Sequence, residues 1–287
     1  MTDNPPVAGV DLGGTHCRCI LARGPNEIVA EAQFPTTSPD ETLDRVASTF
    51  AGWEMGAIGI GSFGPLDLAN GTIRGTPKPG WSGTGLRQRF LPLGVPVTVD
   101  TDVNAAAIGE RQWGAGQGMD DLVYITVGTG IGVGTLVDGK PIHGLGHSEA
   151  GHLRVPRLSG DGWPGNCAVH GDCVEGLAAG PAIMARKERG DAEPAIWESV
   201  IHALAALAHN IVLTVAPQRI IVGGGVANGN PWLHSLLRKA MLESLAGYPP
   251  SQAVAEDPDF ICAPALGEHA GSLGAVALAL RAIGKAE

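Results

Sequence analysis

The spacing of apolar positions changes period several times along the chain, and each change marks an element. Val7–Val10 is a short apolar run, and Cys17–Leu21 and Glu27–Gln33 alternate with a period of two. That pattern predicts three strands of one antiparallel meander. Ser38-Pro39-Asp40-Glu41 then forms a capping box with proline at the first helical position. Leu43, Val46, Ala47 and Phe50 follow on one apolar face, with Gly52 as the stop. Ala57–Ile60 and Val97–Val99 read as short buried strands, the second emptying into Asp100, Asp102 and an Ala-rich helix.

After Trp113-Gly114-Ala115-Gly116-Gln117-Gly118 the pattern restarts with strand Leu122–Val127, a Gly-rich turn and strand Val133–Val137. A helical period runs from Pro194 through Trp197, Val200, Leu204, Leu207, Ile211 and Val215 and reads as core. Arg219–Val222 is a further strand, Asn230-Pro231 caps a helix through Leu245, and Phe260–Ala263 is a last short strand. The expected class is α/β in two domains. Residues 1–114 form the first, with a closing helix at about 271–287 packing back on it, and residues 115–270 form the second. Strand, Gly-rich hairpin and strand occur at both 7–21 and 122–137, each with a Gly-Thr pair. This predicts a duplicated unit whose two hairpins face one another across a central cleft and pinch a polyphosphate.

Composition narrows the partners. With 44% hydrophobic and 17% charged residues the chain has ample material for a core. A net charge of −10, with no long Lys/Arg cluster, disfavours nucleic acid and anionic membrane. An anionic ligand must then be held by backbone N–H groups, dipoles and metal ions. No apolar run reaches the length of a membrane span, and the polar start at Met1–Pro6 does not read as a signal peptide. Five cysteines, an odd number, fit a reducing cytoplasm, with Cys17 and Cys19 as strand core residues. The 43 glycines follow no fixed period and cluster after β-branched runs, where backbone turns tightly or approaches a ligand.

The candidate chemistry lies at strand ends. Asp102 and Asn104 fall at the carboxyl end of a strand, where open α/β sheets place their ligands. Asp102 there can accept a proton from a bound hydroxyl that Asn104 fixes, or else Asp100 or Asp102 caps the helix. Gly13-Gly14-Thr15 can aim N–H groups and a hydroxyl at phosphate oxygens, with Asp11 holding Mg²⁺ through water. Thr129 and Gly130 occupy the matching turn. Gly61-Ser62-Phe63-Gly64-Pro65 is stiff and apolar enough to wall a small-molecule cleft. Trp81, in Thr76-Pro77-Lys78-Pro79-Gly80-Trp81, is either a stacking platform or a buried anchor. Cys167-x2-His170-x2-Cys173, with His152 fifteen residues upstream, has the spacing of a closed, structural tetrahedral Zn²⁺ site. The irregular stretch Pro156–Gly165 needs some such tie. Glu149, just before His152, suits paired sugar hydroxyls, and Gly223-Gly224-Gly225 after a strand leaves room for an adenine ring.

Taken together these motifs resemble the ROK family of sugar kinases, within the actin/hexokinase/heat-shock-70 ATPase fold, from about Val7 to Ala279. The resemblance implies Asp102 as catalytic base and Asp11–Thr15 and Gly128–Gly132 as phosphate loops. It also implies Glu149 and His152 as the sugar and zinc signature, with Cys167, His170 and Cys173 completing the zinc loop in its fructokinase form. Gly224 and Gly225 would lie at the adenosine. It implies ATP with Mg²⁺ as co-reactant, structural Zn²⁺, a cytoplasmic homodimer, and fructose as the hexose, gripped between the domains by Glu149, Asn104 and His152 with Gly64 and Trp81 nearby. Glucose, mannose or an N-acetylated amino sugar, or a non-catalytic sugar sensor, are the alternatives. His16 stands where the family usually has lysine, and Asp11-Leu12 where fructokinases tend to have Glu-Ala. The residues before Val7 leave no room for the helix-turn-helix of the family's repressors.

Overall fold

The period-two stretches pair in the expected meander. β1 (Val7–Leu12) runs antiparallel to β2 (His16–Gly24), and β2 antiparallel to β3 (Glu27–Pro35). β4 (Ile58–Ser62) joins β1 in parallel and β5 (Val97–Thr101) joins β4 in parallel, so the sheet order is β3-β2-β1-β4-β5. These elements belong to a computed structural model that describes residues 5–284. Met1–Asn4 of the polar start and the last three residues of the closing segment lie outside the described residues.

The chain divides into two compact units, 1–118 with 139–148 and 265–287, and 119–138 with 149–264. Relative to the expected 1–114 and 115–270, residues 115–118, 139–148 and 265–270 group with the first unit.

In the first unit one sheet face carries Ala8, Val10 and Leu12 onto Leu43, Val46 and Phe50 of helix Pro39–Phe50. That helix is capped by Ser38, whose hydroxyl accepts the Glu41 N–H. The opposite face carries Val7 onto Leu273, Val276 and Ala279 of the C-terminal helix Ala270–Ala282. Glycine makes this second contact possible. A Cβ on Gly59 of β4 would lie 1.9 Å from the Ala275 carbonyl oxygen, and one on Gly9 of β1 2.5 Å from that of Ser272. The Ala-rich helix therefore sits directly on sheet backbone, and its small residues are the requirement of that close approach.

In the second unit β6 (Leu122–Val127) pairs antiparallel with β7 (Ile131–Val137) and parallel with β8 (Arg219–Gly223), and β8 pairs in parallel with β9 (Ile261–Cys262). The order β7-β6-β8-β9 repeats β2-β1-β4-β5 of the first unit, which is the duplication expected from the hairpins. The helix Glu193–Val215 buries Ile196, Val200, Leu204, Leu207 and Ile211 in the core of this unit. By length and composition it is long and apolar enough to cross a membrane, which corrects the expectation that no run is. One cap also differs. Helix Leu233–Leu245 follows Trp232, and the Asn230 side chain donates to the Val226 carbonyl instead of capping it.

Candidate active site

Three parallel strands of the first unit end in register. Asp11 of β1 lies beside Gly61 of β4, and Gly61 beside Asp100 of β5. The hairpin after Leu12, the Phe63–Pro65 loop and the helix that starts at Asp102 therefore leave one carboxyl edge of one sheet. At about 4.8 Å per strand, β1 and β5 are about 10 Å apart there, the width of a small ligand.

Asp102 is the first residue of helix Asp102–Trp113 and is half-buried. It is not the cap. Thr101 is, its hydroxyl accepting the Asn104 N–H at 3.1 Å, while Asp102 Oδ1 accepts the N–H of Val103 at 2.9 Å. Asp100 is not a cap either. It is 2% exposed, and its Oδ1 accepts the Thr101 N–H at 2.7 Å and the Asn104 side-chain amide at 2.8 Å. Asn104, expected to hold a hydroxyl, is itself 2% exposed and gives its amide to Asp100. The structure thus turns Asn104 inward, because the buried carboxylate needs donors.

The fourth partner of this network is one that the sequence analysis missed. His143 Nε2 lies 3.0 Å from Asp100 Oδ2, and that hydrogen bond raises the imidazole above its ordinary pKa. From the same segment His147 Nε2 accepts the Leu66 N–H at 2.8 Å, beyond the cis Gly64–Pro65 bond. The His-Gly-Leu-Gly-His spacing between Glu149 and the preceding strand was the only sequence signal for either residue.

Asp11 faces Arg18 across the hairpin and lies against Gly271 in the first turn of the C-terminal helix. Burial lifts its carboxyl to about 6, with Arg18 pulling it back down. Gly13 N–H donates to the His16 carbonyl at 3.0 Å, closing the turn, and Gly14, Thr15 and His16 form its exposed tip. Gly64 is half-buried in its loop. Trp81 is corrected as a sugar platform. It is fully buried, its indole N–H donates to the Thr37 carbonyl at 2.9 Å, and its ring meets Phe63 edge-on at 5.2 Å. It anchors its loop and offers no face to a ligand.

The second unit gathers its candidate residues around the β6–β7 hairpin. The Gly128 N–H donates to the Gly130 carbonyl at 2.9 Å, with Thr129 between them. Gly224 follows the end of β8, which lies in register with Thr126 of β6. Its φ of +91° and the 2.6 Å that a Cβ would leave to Thr126 Oγ1 admit glycine alone, and Gly225 then opens a short helical turn beside the hairpin. Glu149 is exposed at the head of a 3₁₀ turn Ala150–His152, and its carbonyl accepts the His152 N–H. That turn is pressed onto the strand, since a Cβ on Gly151 would stand 1.8 Å from the Ile131 carbonyl oxygen.

His152, Cys167, His170 and Cys173 bring one ligand atom each to within 4.8 Å of all the others. His152 Nδ1 is 3.7 Å from Cys167 Sγ and 3.5 Å from Cys173 Sγ, and His170 Nδ1 is 3.8 Å from Cys167 Sγ. A tetrahedral ion with bonds of about 2.3 Å to sulfur and 2.05 Å to nitrogen sets such edges at about 3.5 Å. The donor set therefore fits a four-coordinate ion with little movement. Burial and the neighbouring Cys167 thiol push Cys173 up to about 11. The 156–165 stretch has ties of its own as well. Arg157 pairs with Asp172, Asp161 with Arg186 and the Ser199 hydroxyl, and the Trp163 indole donates to Gly176. Glu175, two residues past the last cysteine, joins the two features: Oε2 accepts the Ile131 N–H at 3.1 Å and Oε1 lies 4.0 Å from His152 Nδ1.

Comparison with known proteins gives concordant matches. Residues 7–282 match the ROK family. The chain is 40% identical to a fructokinase of Zymomonas mobilis over 96% of its own length and 97% of that protein's. Among solved structures it resembles a ROK hexokinase from Thermus thermophilus, with a TM-score of 0.77, 27% identity and coverage of 97% and 99% of the two chains. It also resembles a ROK family glucokinase from Streptomyces griseus solved with glucose and AMPPNP, with a TM-score of 0.76, 27% identity and coverage of 96% and 99%.

Proposed function

We propose, for a chain that belongs to the ROK family and is a sugar phosphotransferase, that it transfers the γ-phosphoryl group of ATP to fructose, giving fructose 6-phosphate. The observation that carries this reading is the placement of Asp102. It is a half-buried carboxylate at the first turn of a helix, on the same sheet edge as the Asp11–Thr15 hairpin. The choice of fructose is supported by the fructokinase relative, which the chain matches at 40% identity over nearly its whole length.

Asp102 accepts the proton of the attacking hydroxyl, in a reaction where positioning and charge neutralisation carry most of the catalysis. Asp100 aligns Asn104 and His143 beside it. Glu149 accepts hydrogen bonds from sugar hydroxyls, on a turn that His152 holds at the metal cluster. The N–H groups of Gly14 and Thr15, at the tip of the hairpin that the Gly13 N–H closes, and those of Thr129 and Gly130 receive phosphate oxygens. Gly224 and Gly225 leave backbone open to the adenine. Asp11 would hold Mg²⁺ through water, and the burial that raises its pKa is the cost such a cation relieves. Mg²⁺, when bound, neutralises phosphate charge. His152, Cys167, His170 and Cys173 would hold Zn²⁺, which is structural because all four positions of the tetrahedron are taken by protein.

A coupled ADP-release assay across fructose, glucose, mannose and N-acetylmannosamine tests the reading. Fructose is expected to give the highest kcat/KM. Asp102→Asn is expected to lower kcat by about 10²–10⁴-fold with sugar binding retained. A variant with near-wild-type turnover would refute the assignment of the base.

A further inference from the structure

A lysine from a distant loop reaches the tip of the first hairpin. Lys78 Nζ donates to the Gly14 carbonyl at 2.7 Å and lies 3.5 Å from that of Thr36, from 64 residues further along the chain than Gly14. Its mount is rigid without it. Trp81, three residues on, is buried and bonded to Thr37, and its backbone N–H donates to the Lys78 carbonyl at 3.3 Å. Gly14 itself is exposed, and a side chain there would meet open space.

A clasp between an ammonium and an exposed carbonyl stabilises little. Ordering a lysine side chain costs about as much as one such hydrogen bond returns. The arrangement has a different consequence. Carbonyl partners accept hydrogen bonds without cancelling the positive charge, and an ammonium has three N–H bonds to give. Arg18, the cation on the adjacent strand, is different: Glu31 and Glu268 pair with it, so its charge is neutralised. The residue that ends the hairpin turn is His16, where the turn carries neither lysine nor arginine. Among the described residues Lys78 pairs with no carboxylate, and it brings its positive charge to the exposed tip of the turn.

We propose that Lys78 is a catalytic residue whose ammonium contacts the phosphoryl group during transfer, supplying at Gly14 the fixed charge that position 16 lacks. This rests on the sugar-kinase reading above. In the step itself the sugar hydroxyl oxygen forms a bond to the γ-phosphorus, and the bond from that phosphorus to the oxygen bridging the β-phosphate breaks. The electron pair leaves on ADP, and the hydroxyl proton goes to Asp102. Lys78 makes no covalent bond and stabilises charge on the outer oxygens of the moving group.

The test compares wild type, Lys78→Met, Lys78→Arg and the double variant Lys78→Met with His16→Lys, all as full chains. Lys78→Met is expected to lower kcat by about 10²–10³-fold with the fructose KM within about threefold, as for loss of one transition-state donor. Lys78→Arg and the double variant are each expected to recover at least about tenfold of that loss. Calorimetric titration with ADP and with inorganic phosphate should show weaker binding to Lys78→Met at an unchanged melting temperature. A Lys78→Met enzyme with kcat within about threefold of an active wild type overturns this inference alone. So does a loss of kcat that follows a drop in melting temperature and that neither second variant rescues. A wild type that releases no ADP with any sugar overturns the kinase reading, and this inference with it.

Discussion

Replacing Gly59 by alanine tests how closely the C-terminal helix is set on the first sheet. The new methyl would stand 1.9 Å from the Ala275 carbonyl oxygen and 2.9 Å from the Ala279 nitrogen. Ordinary contact begins at 3.4 Å, so helix and sheet must part by about 1.5 Å at that point. The obstacle is helix backbone, which cannot rotate aside as a side chain does. Nor can the helix slide freely, because Gly274 already meets the Ala105 carbonyl, where a Cβ would be only 2.1 Å away. Overpacking of this kind costs about 3 kcal/mol, the upper end of the usual range. For a unit of about 150 residues that corresponds to a fall of roughly 6–12 °C in melting temperature. Thermal and urea unfolding, followed by tryptophan fluorescence and far-UV circular dichroism, would measure it. Gly14→Ala is the control, since a Cβ there meets nothing within 4 Å, and its expected effect is within about 0.5 kcal/mol. A Gly59→Ala protein as stable as that control would refute the account of the Ala-rich helix.

Two further outcomes follow from the side-chain networks. On the proposed zinc assignment, treatment with a chelator should lower the stability of the second unit by about 3 kcal/mol or more, restored by added Zn²⁺; the drop is less than the full value of a small zinc domain because Arg157, Asp161, Arg186 and Trp163 also tie the loop. His143 is held above its ordinary pKa of 6.5 by Asp100, so its contribution to stability is complete below that value and is lost as pH rises through the raised one. Urea midpoints measured across that range should decline in wild type, and Asp100→Asn should remove this component of the slope; an identical slope in both proteins would exclude the pair as its source.

The sequence by itself determined whatever depends on neighbours along the chain. Ser38 and Pro39 start a helix, strands alternate with a period of two, and the Cys167, His170 and Cys173 spacing marks a ligand set. The two Gly-Thr hairpins announced a duplication that the two sheet orders repeat. These signals are legible because a helical turn, a pleat and a short Cys/His loop are each built within a few residues.

Tertiary structure decided the direction in which each side chain points at the end of its element. Trp81 turned into the core because burial removes its large apolar ring from water while the indole N–H still reaches the Thr37 carbonyl. Asn104 turned to Asp100, and His143 came from 43 residues beyond that carboxylate, because a buried charge collects donors wherever the fold brings them near. Glu175 reached the Ile131 N–H across 44 residues, and Lys78 reached Gly14 across 64. No local pattern encodes such pairings, since they exist only once sheet, helix and loop have packed and each polar group must find its partner in the space that remains.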